Sequence, residues 1–455
     1  MKNTNNTRSR IASIVALFLV VCAVFSLTSC NLIRPGREEQ TTGAPAPEAP
    51  KVEISSKLDL PSYMQDIIML DEVFDFYSYE GVDEQAMKKA LLKAYIEATG
   101  DLYAEYLDAE EYAEYFSERA GEFVGIGVSV VNTVITVNGY QYKVLQVITV
   151  FKDSPALKAG VRVGDCVMYV GSGEDRQLVD LIGYTETLER IRGVEGTVAE
   201  FTVFRPTTGG DYEEVDFAIE RKKVQNSSVN YRVSETDAKV GIINITEFDD
   251  TTPRQFCEAV DGLKAQGCKK FVFDLRNNPG GGLDSIETVL SYFLNEHDLI
   301  VSIEYSKALS SQNYSDYVRV KRYAAPYEGL NVEKFDIGKY RDLDCVVLVN
   351  ENSASAAELF TATFRDYGLA KIIGTKTYGK GSMQTLFPLD DYGIEGGLKL
   401  TVARYFSKSH TDYHGKGIVP DIEVALSEEA MEYNFFLLPE EKDNQMQAAI
   451  AELLK

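Results

Sequence analysis

The chain has 455 residues, 45% hydrophobic and 25% charged, which suits an ordinary globular protein of two or three domains. Its 46 Lys and Arg face 70 Asp and Glu, a net charge of −24. That balance argues against nucleic-acid partners and against electrostatic docking on anionic lipid, since both need basic patches.

Residues 1–30 read as a secretory signal. Lys2, Arg8 and Arg10 form a positive start, Ile11 to Leu27 an apolar run, and Leu27-Thr28-Ser29-Cys30 a small-residue close. Those last four residues resemble the lipobox of bacterial lipoproteins. The resemblance implies a lipid on Cys30, a membrane anchor and a location outside the cytoplasm. The alternative is an uncleaved anchor with an ordinary Cys30, though the apolar run is short for a spanning helix. Residues 31–57 carry Pro, Gly, Glu and Thr with almost no apolar period and read as a flexible tether. Cys166, Cys257, Cys268 and Cys345 fit no zinc spacing and lie in apolar stretches, so they read as core residues. A Cys257–Cys268 bridge is not predicted, because connectivity cannot be read from sequence.

Residues 58–118 are expected to be helical. Met64, Ile67, Ile68, Leu70, Val73 and Phe74 make one stripe, and Met87, Ala90, Leu91, Ala94 and Tyr95 another. This region reads as a packing or homodimerising surface without chemistry. Residues 119–206 change to strand patterns. Asn138-Gly139 marks a hairpin, Ser154-Pro155 to Gly160 a short capped helix, and residues 178–192 a second helix. With Val124-Gly125-Ile126-Gly127, Val163-Gly164-Asp165 and Arg192-Gly193, this order resembles a PDZ domain. The resemblance implies that Val124, Gly125 and Ile126 hold the C-terminal carboxylate of a protein partner. Tyr184 and Leu188 would line its side-chain pocket. Taken alone, Gly-Ile-Gly is a tight turn.

Residues 207–426 alternate strands and helices, which predicts a mostly parallel sheet. Residues 305–340 are a long Tyr-rich insertion, and residues 427–455 a helical tail. Asp274 to Gly282 forms a glycine-rich strand-to-helix turn. It reads either as a tight turn with Asp274 and Arg276 paired or as a backbone N–H cradle. A phosphate loop is discounted because the GK[ST] ending is missing.

The apolar run Cys345–Val349 leads through Asn350-Glu351-Asn352-Ser353-Ala354-Ser355-Ala356 into a helical pattern. Ser355 therefore stands at a strand-to-helix turn. A helix N-terminus favours developing negative charge, which suits a nucleophile; a plain N-cap is the other reading. His297, His410 and His414 lie in no motif with serine or acid partners and read as surface residues, and no GxSxG elbow surrounds Ser355. Lys380, between Gly379 and Gly381, is the other candidate base. A free lysine, with a pKa of about 10.4, is useless as a base at neutral pH, but desolvation lowers it by up to several units. Gln384 can orient the amine without adding charge. A solvated lysine in a flexible turn is the competing reading.

Ser353-Ala354-Ser355-Ala356-Ala357-Glu358, Tyr378-Gly379-Lys380-Gly381 with Gln384, Asp274 to Gly281, and Lys416-Gly417-Ile418-Val419-Pro420-Asp421 occur in one order behind the PDZ-like segment. Together they resemble the carboxyl-terminal processing (tail-specific) proteases, a Ser–Lys peptidase family, over roughly residues 60–430. The resemblance implies a multidomain α+β chain with a crotonase/ClpP-like α/β core. It implies Ser355 as nucleophile, Lys380 as base and Gln384 as its partner. It also implies an oxyanion hole from the N–H groups of Ala356 and Gly280, a coupling role for Arg192, and neither metal nor cofactor. Asp101-Leu102-Tyr103-Ala104 is a loose version of the family's Asp-Pro-Tyr-Ser and is expected to touch only the helical region. Two other classes stay open: a catalytically silent PDZ adaptor lipoprotein, and a crotonase-like acyl-CoA enzyme, which explains neither the PDZ-like segment nor the signal.

Overall fold

The computed structural model describes residues 30–32, 60–79, 81–207, 209–306, 315–319 and 337–455. The signal peptide, nearly all of the tether and most of the Tyr-rich insertion lie outside the described residues. Among the described residues no helix is long and apolar enough to cross a membrane.

The central sheet runs in the order Val229–Val233, Val240–Ile245, Lys270–Asp274, Asp344–Val349, Lys371–Gly374, Ile422–Glu423. The first pairing is antiparallel and the rest are parallel. Successive side chains point to opposite faces, and both faces are apolar. Phe271, Phe273, Val347 and Val349 join one cluster, while Val272, Val346 and Leu348 join the other. Burial on both sides is why these strands read as unbroken apolar runs.

Helices Thr252–Ala265, Leu283–Ser291 and Ala356–Asp366 contribute to the first cluster. The second is closed by Met446, Ala449, Ile450 and Leu453 of helix Asn444–Leu453. Residues 427–455, expected as a tail, thus end in a covering layer of the core. The spacing of these four residues gives the helix one apolar stripe. Its start is pinned by the buried Arg276, which bonds Asp274 at 2.7 Å and Asp443 at 2.8 Å.

A second, mainly antiparallel sheet holds Ser382–Pro388, Gly397–Phe406, Leu299–Tyr305 and Ser315–Arg319 in that order. Two short pieces join it from far upstream. Glu105–Leu107 pairs with Gly397–Lys399, and Cys30–Leu32 lies parallel to Gln384–Leu386 on the outer edge. The helices Ser62–Tyr77, Glu84–Ala98 and Ala109–Arg119 occupy the expected helical region. The first leaves Met69, Leu70, Phe76 and Tyr77 exposed.

The third sheet is Val128–Val137, Tyr140–Val150, Cys166–Val170, Val198–Pro206 and Tyr212–Glu220. Asn138 and Gly139 turn its first hairpin with φ of 51° and 82°. Ser154 caps Pro155–Ala159, and Gly160 ends that helix at φ 87°. The helix Val179–Ile191 is broken at Gly183, whose φ is 81°. The boundary expected at 206/207 falls inside a hairpin, because Val198–Pro206 pairs with Tyr212–Glu220. Lys222–Gln225 then pairs with Glu122–Gly125. In the strand Tyr212–Glu220, Val215, Phe217 and Ile219 face the unit's core, while Glu214 and Asp216 lie on the opposite, exposed side.

Candidate active site

The strand Asp344–Val349 ends in a turn whose last residue, Ser355, is wholly buried and starts the helix Ala356–Asp366. Ser355 has φ 56° and ψ −117°, a conformation that costs a non-glycine residue about 1–3 kcal/mol. Such strain persists only where neighbours impose it. Here a second turn is interlocked with the first. The Ala354 N–H donates to Asn278 O at 2.9 Å, and Ser353 Oγ to Leu275 O at 2.8 Å. Asn278 Nδ2 in turn donates to Ile245 O at 2.8 Å. Gly280, at φ 110°, packs directly on the serine. A Cβ there would stand 2.6 Å from Ser355 Cβ and 2.9 Å from both Ala354 O and Ala356 N. A strained serine at a strand–turn–helix junction is thus built without a GxSxG sequence. The Ala356 N–H opens the helix at this point, while the Gly280 N–H donates within its own turn, to Asn278 Oδ1 at 2.8 Å.

Lys380 is 3% exposed, which overturns the solvated-turn reading. Packing holds its turn. A Cβ on Gly379 (φ 97°) would meet Gly417 N at 2.7 Å and Lys416 N at 2.9 Å, so the Lys416-Gly417 turn lies flat against it. The main fastening is Glu358, a residue to which sequence reasoning assigned no role. Its wholly buried carboxylate accepts four hydrogen bonds: from Thr377 Oγ1 (2.6 Å), Gly379 N (2.7 Å), Lys380 N (2.6 Å) and Ser355 N (3.1 Å). Burial pushes its carboxyl above the usual range, and the four donors oppose that rise. The Ser355/Glu358 spacing is the capping-box signature, which is the signal that could have found it. Glu358→Gln puts an amide NH2 against donors. It is expected to cost about 2–4 kcal/mol on chemical denaturation, as buried donors lose partners, and to lower activity because the serine and lysine turns are no longer tied.

Gln384 is wholly buried at an irregularity in the strand Ser382–Pro388, where the register slips between Met383 and Gln384. Bulges of this kind re-aim side chains beside sites. Tyr405, also unforeseen, donates its one phenolic proton to Lys380 O at 2.8 Å, and its oxygen lies 3.4 Å from Ser355 Oγ. Burial raises its phenol well above the ordinary value, so it stays protonated and a donor.

Two expectations need correction. The Asp101–Ala104 stretch does not touch only the helical region: the Lys380 ammonium lies 4.3 Å from the Tyr103 ring centroid, and Asp101 bonds Thr401. His414 is not a bystander, since its Nδ1 accepts the Gly381 N–H at 3.2 Å. His297 and His410 lie on the surface as expected. Distance in sequence hid both contacts.

The residues expected to bind a C-terminus lie in the third sheet's unit. Val124 and Gly125 belong to the strand paired with Lys222–Gln225, and Ile126 is buried with its carbonyl accepting Ala156 N at 2.8 Å. Tyr184 and Leu188 are half-buried on the helix Val179–Ile191 beside that unit's core. Arg192 Nη1 donates to Glu114 Oε1 at 3.2 Å, in the helix Ala109–Arg119. The backbone of Cys30 lies opposite Gln384. Cys166, Cys257, Cys268 and Cys345 form no disulfide among the described residues. Among the described residues no group of His, Cys, Asp and Glu could hold a metal ion.

The segment that carries Ser355, Glu358, Lys380 and Gln384 matches one family model, peptidase family S41, over residues 239–424. Two curated relatives extend beyond this S41 segment. A "Probable CtpA-like serine protease" of Staphylococcus aureus is 31% identical over 347 residues, 76% of this chain and 62% of the relative. One from Staphylococcus saprophyticus is 28% identical over 384 residues, 84% of this chain and 69% of its own. The chain thus spans 62% of the length of the first of them. Among solved structures, an S41-family protein of Bacteroides fragilis shares the fold at TM-score 0.54 and 18% identity, covering 85% of this chain and 97% of that one.

Proposed function

We propose that the chain is an extracytoplasmic serine endopeptidase with a Ser355–Lys380 dyad. The observation that carries this reading is the buried, strained Ser355 at a helix start, with the buried Lys380 on a turn fastened to the same helix by Glu358. Ser355 Oγ attacks the peptide carbonyl carbon, and the neutral Lys380 amine takes its proton. The tetrahedral oxyanion is met by the Ala356 N–H and by the Gly280 N–H, which leaves Asn278 as substrate binds. Lys380 then protonates the leaving amine. Water, deprotonated by the same amine, hydrolyses the acyl-enzyme and frees Ser355.

The unit of residues 122–225 acts as a PDZ domain, gripping a protein's C-terminus through Val124, Gly125 and Ile126 with Tyr184 and Leu188. Arg192, bonded to Glu114, links its helix to the N-terminal region. A lipid on Cys30 holds the enzyme to a bacterial membrane. The exposed apolar residues of Ser62–Tyr77 fit a homodimer contact. The outer edge of Ser382–Pro388 supports an extended substrate, since it already pairs with a stretch of extended chain.

The test compares wild type with Ser355→Ala on an unfolded protein and on peptides ending in a free carboxylate or an amide. Wild type is expected to cleave, to prefer the free carboxylate, and to be labelled by a serine-reactive phosphonate at Ser355. The variant is expected to do none of the chemistry while keeping its unfolding midpoint. Equal turnover by the variant rejects the dyad, and no turnover by either protein leaves a peptide-gripping adaptor.

A further inference from the structure

Gln384 poses a question of proton placement. Its Nε2 donates to Thr401 Oγ1 at 3.0 Å and to Ser382 Oγ at 3.1 Å. Its Oε1 is buried and has no hydrogen-bond partner among the described residues. An amide that merely filled space would turn to satisfy both ends, because an unmet buried acceptor costs about 1–3 kcal/mol. Something therefore fixes which way it faces.

Asp101 supplies that constraint. Its Oδ2 accepts the Thr401 N–H at 2.9 Å, and its Oδ1 accepts the Thr401 hydroxyl at 2.9 Å. A carboxylate only accepts, so the single hydroxyl proton of Thr401 is committed to Asp101. Thr401 Oγ1 can then only accept from Gln384, which turns the NH2 toward Thr401 and Oε1 away from it. Asp101 is itself held in place, because its Oδ1 also takes the Tyr103 N–H at 3.0 Å. Two residues on, the Tyr103 ring faces the Lys380 ammonium. One short turn, more than 100 positions upstream of the S41 segment, thus reaches Lys380 directly and Gln384 through Thr401.

We propose that Asp101 is a positioning residue: through Thr401 it sets the amide of Gln384 so that Oε1 is presented as an acceptor to the Lys380 amine. This deepens the Ser–Lys reading and rests on it. The N-terminal region is then part of the active site.

Steady-state peptide hydrolysis by wild type, Asp101→Asn, Thr401→Val and Thr401→Ser tests it, with thermal midpoints measured alongside. The amide introduced by Asp101→Asn offers an NH2 to Thr401, so the hydroxyl donates to Gln384 instead and the glutamine amide inverts. The kcat of Asp101→Asn and of Thr401→Val is expected to fall about ten- to a hundredfold, as misplacement of a reacting group does. KM should stay within about twofold, because no substrate contact is removed. Thr401→Ser keeps the hydroxyl and should recover most of what Thr401→Val loses. Should Asp101→Asn fail to fold, the Val/Ser pair decides. A wild type that cleaves while Thr401→Val matches it in kcat overturns this proposal alone, as does a Ser variant no better than the Val one. A wild type that neither cleaves nor is labelled at Ser355 overturns the endopeptidase reading and this proposal together.

Discussion

Lys380→Met is expected to lower peptide turnover by a factor of about 10^4 or more while the protein stays folded. The side chain is 3% exposed, and Met matches its length without its charge. Met fills the volume of the buried amine without the cost of keeping a polar group out of water. The turn itself does not depend on the ammonium, because Glu358 holds it by the main-chain N–H groups of Gly379 and Lys380. The thermal midpoint should therefore stay level or rise as activity vanishes. Lys380→Arg separates proton transfer from charge. An arginine keeps the positive charge but does not deprotonate in a protein, so it should be as inactive as Met. An arginine variant with substantial kcat would show that the cation acts electrostatically and that some other group is the base.

The second large effect is expected at Gly280. Gly280→Ala should lower kcat about 10²–10³-fold, the loss seen when an oxyanion donor is misplaced, and destabilise the fold by about 2–4 kcal/mol. Two costs combine there. At φ 110° an alanine is strained, and its Cβ would press into Ser355 Cβ at 2.6 Å and Ala356 N at 2.9 Å. The nucleophile and the first helix N–H must move apart from the Pro279-Gly280 turn or tilt with it. Gly139→Ala is the matched control: φ is 82° but nothing lies within 4 Å, so only strain of about 1 kcal/mol remains. Urea denaturation and steady-state kinetics of the two variants check both numbers. A Gly280→Ala enzyme as active as the Gly139→Ala one would remove this turn from the catalytic centre.

Much of the fold was legible because burial leaves a local signature. The parallel sheet follows from Phe271–Leu275 and Cys345–Val349, apolar on both faces. The hairpin at Asn138-Gly139 and the helix from Pro155 follow from turn and cap chemistry. Misreadings occurred where one face is solvated or the partner is remote. Tyr212–Glu220 carries acids on its outer side, so the expected boundary at 206/207 left it outside the unit it pairs into, and Asn444–Leu453 showed a stripe with no hint of the sheet that takes it.

The candidate site divides the same way. The sequence by itself determined the strand-to-helix turn at Ser355, the glycine-flanked Lys380 and the glycine-rich turn at Gly280, because backbone conformation and helix termini are local matters. Tertiary structure alone decided that Glu358 joins the two turns, that Tyr405 reaches Ser355 Oγ, that His414 holds Gly381, and that Asp101 and Tyr103 cross to Thr401 and Lys380. A buried carboxylate or amide is recognisable only from the donors and acceptors that surround it, and those come from segments that sequence spacing cannot bring together.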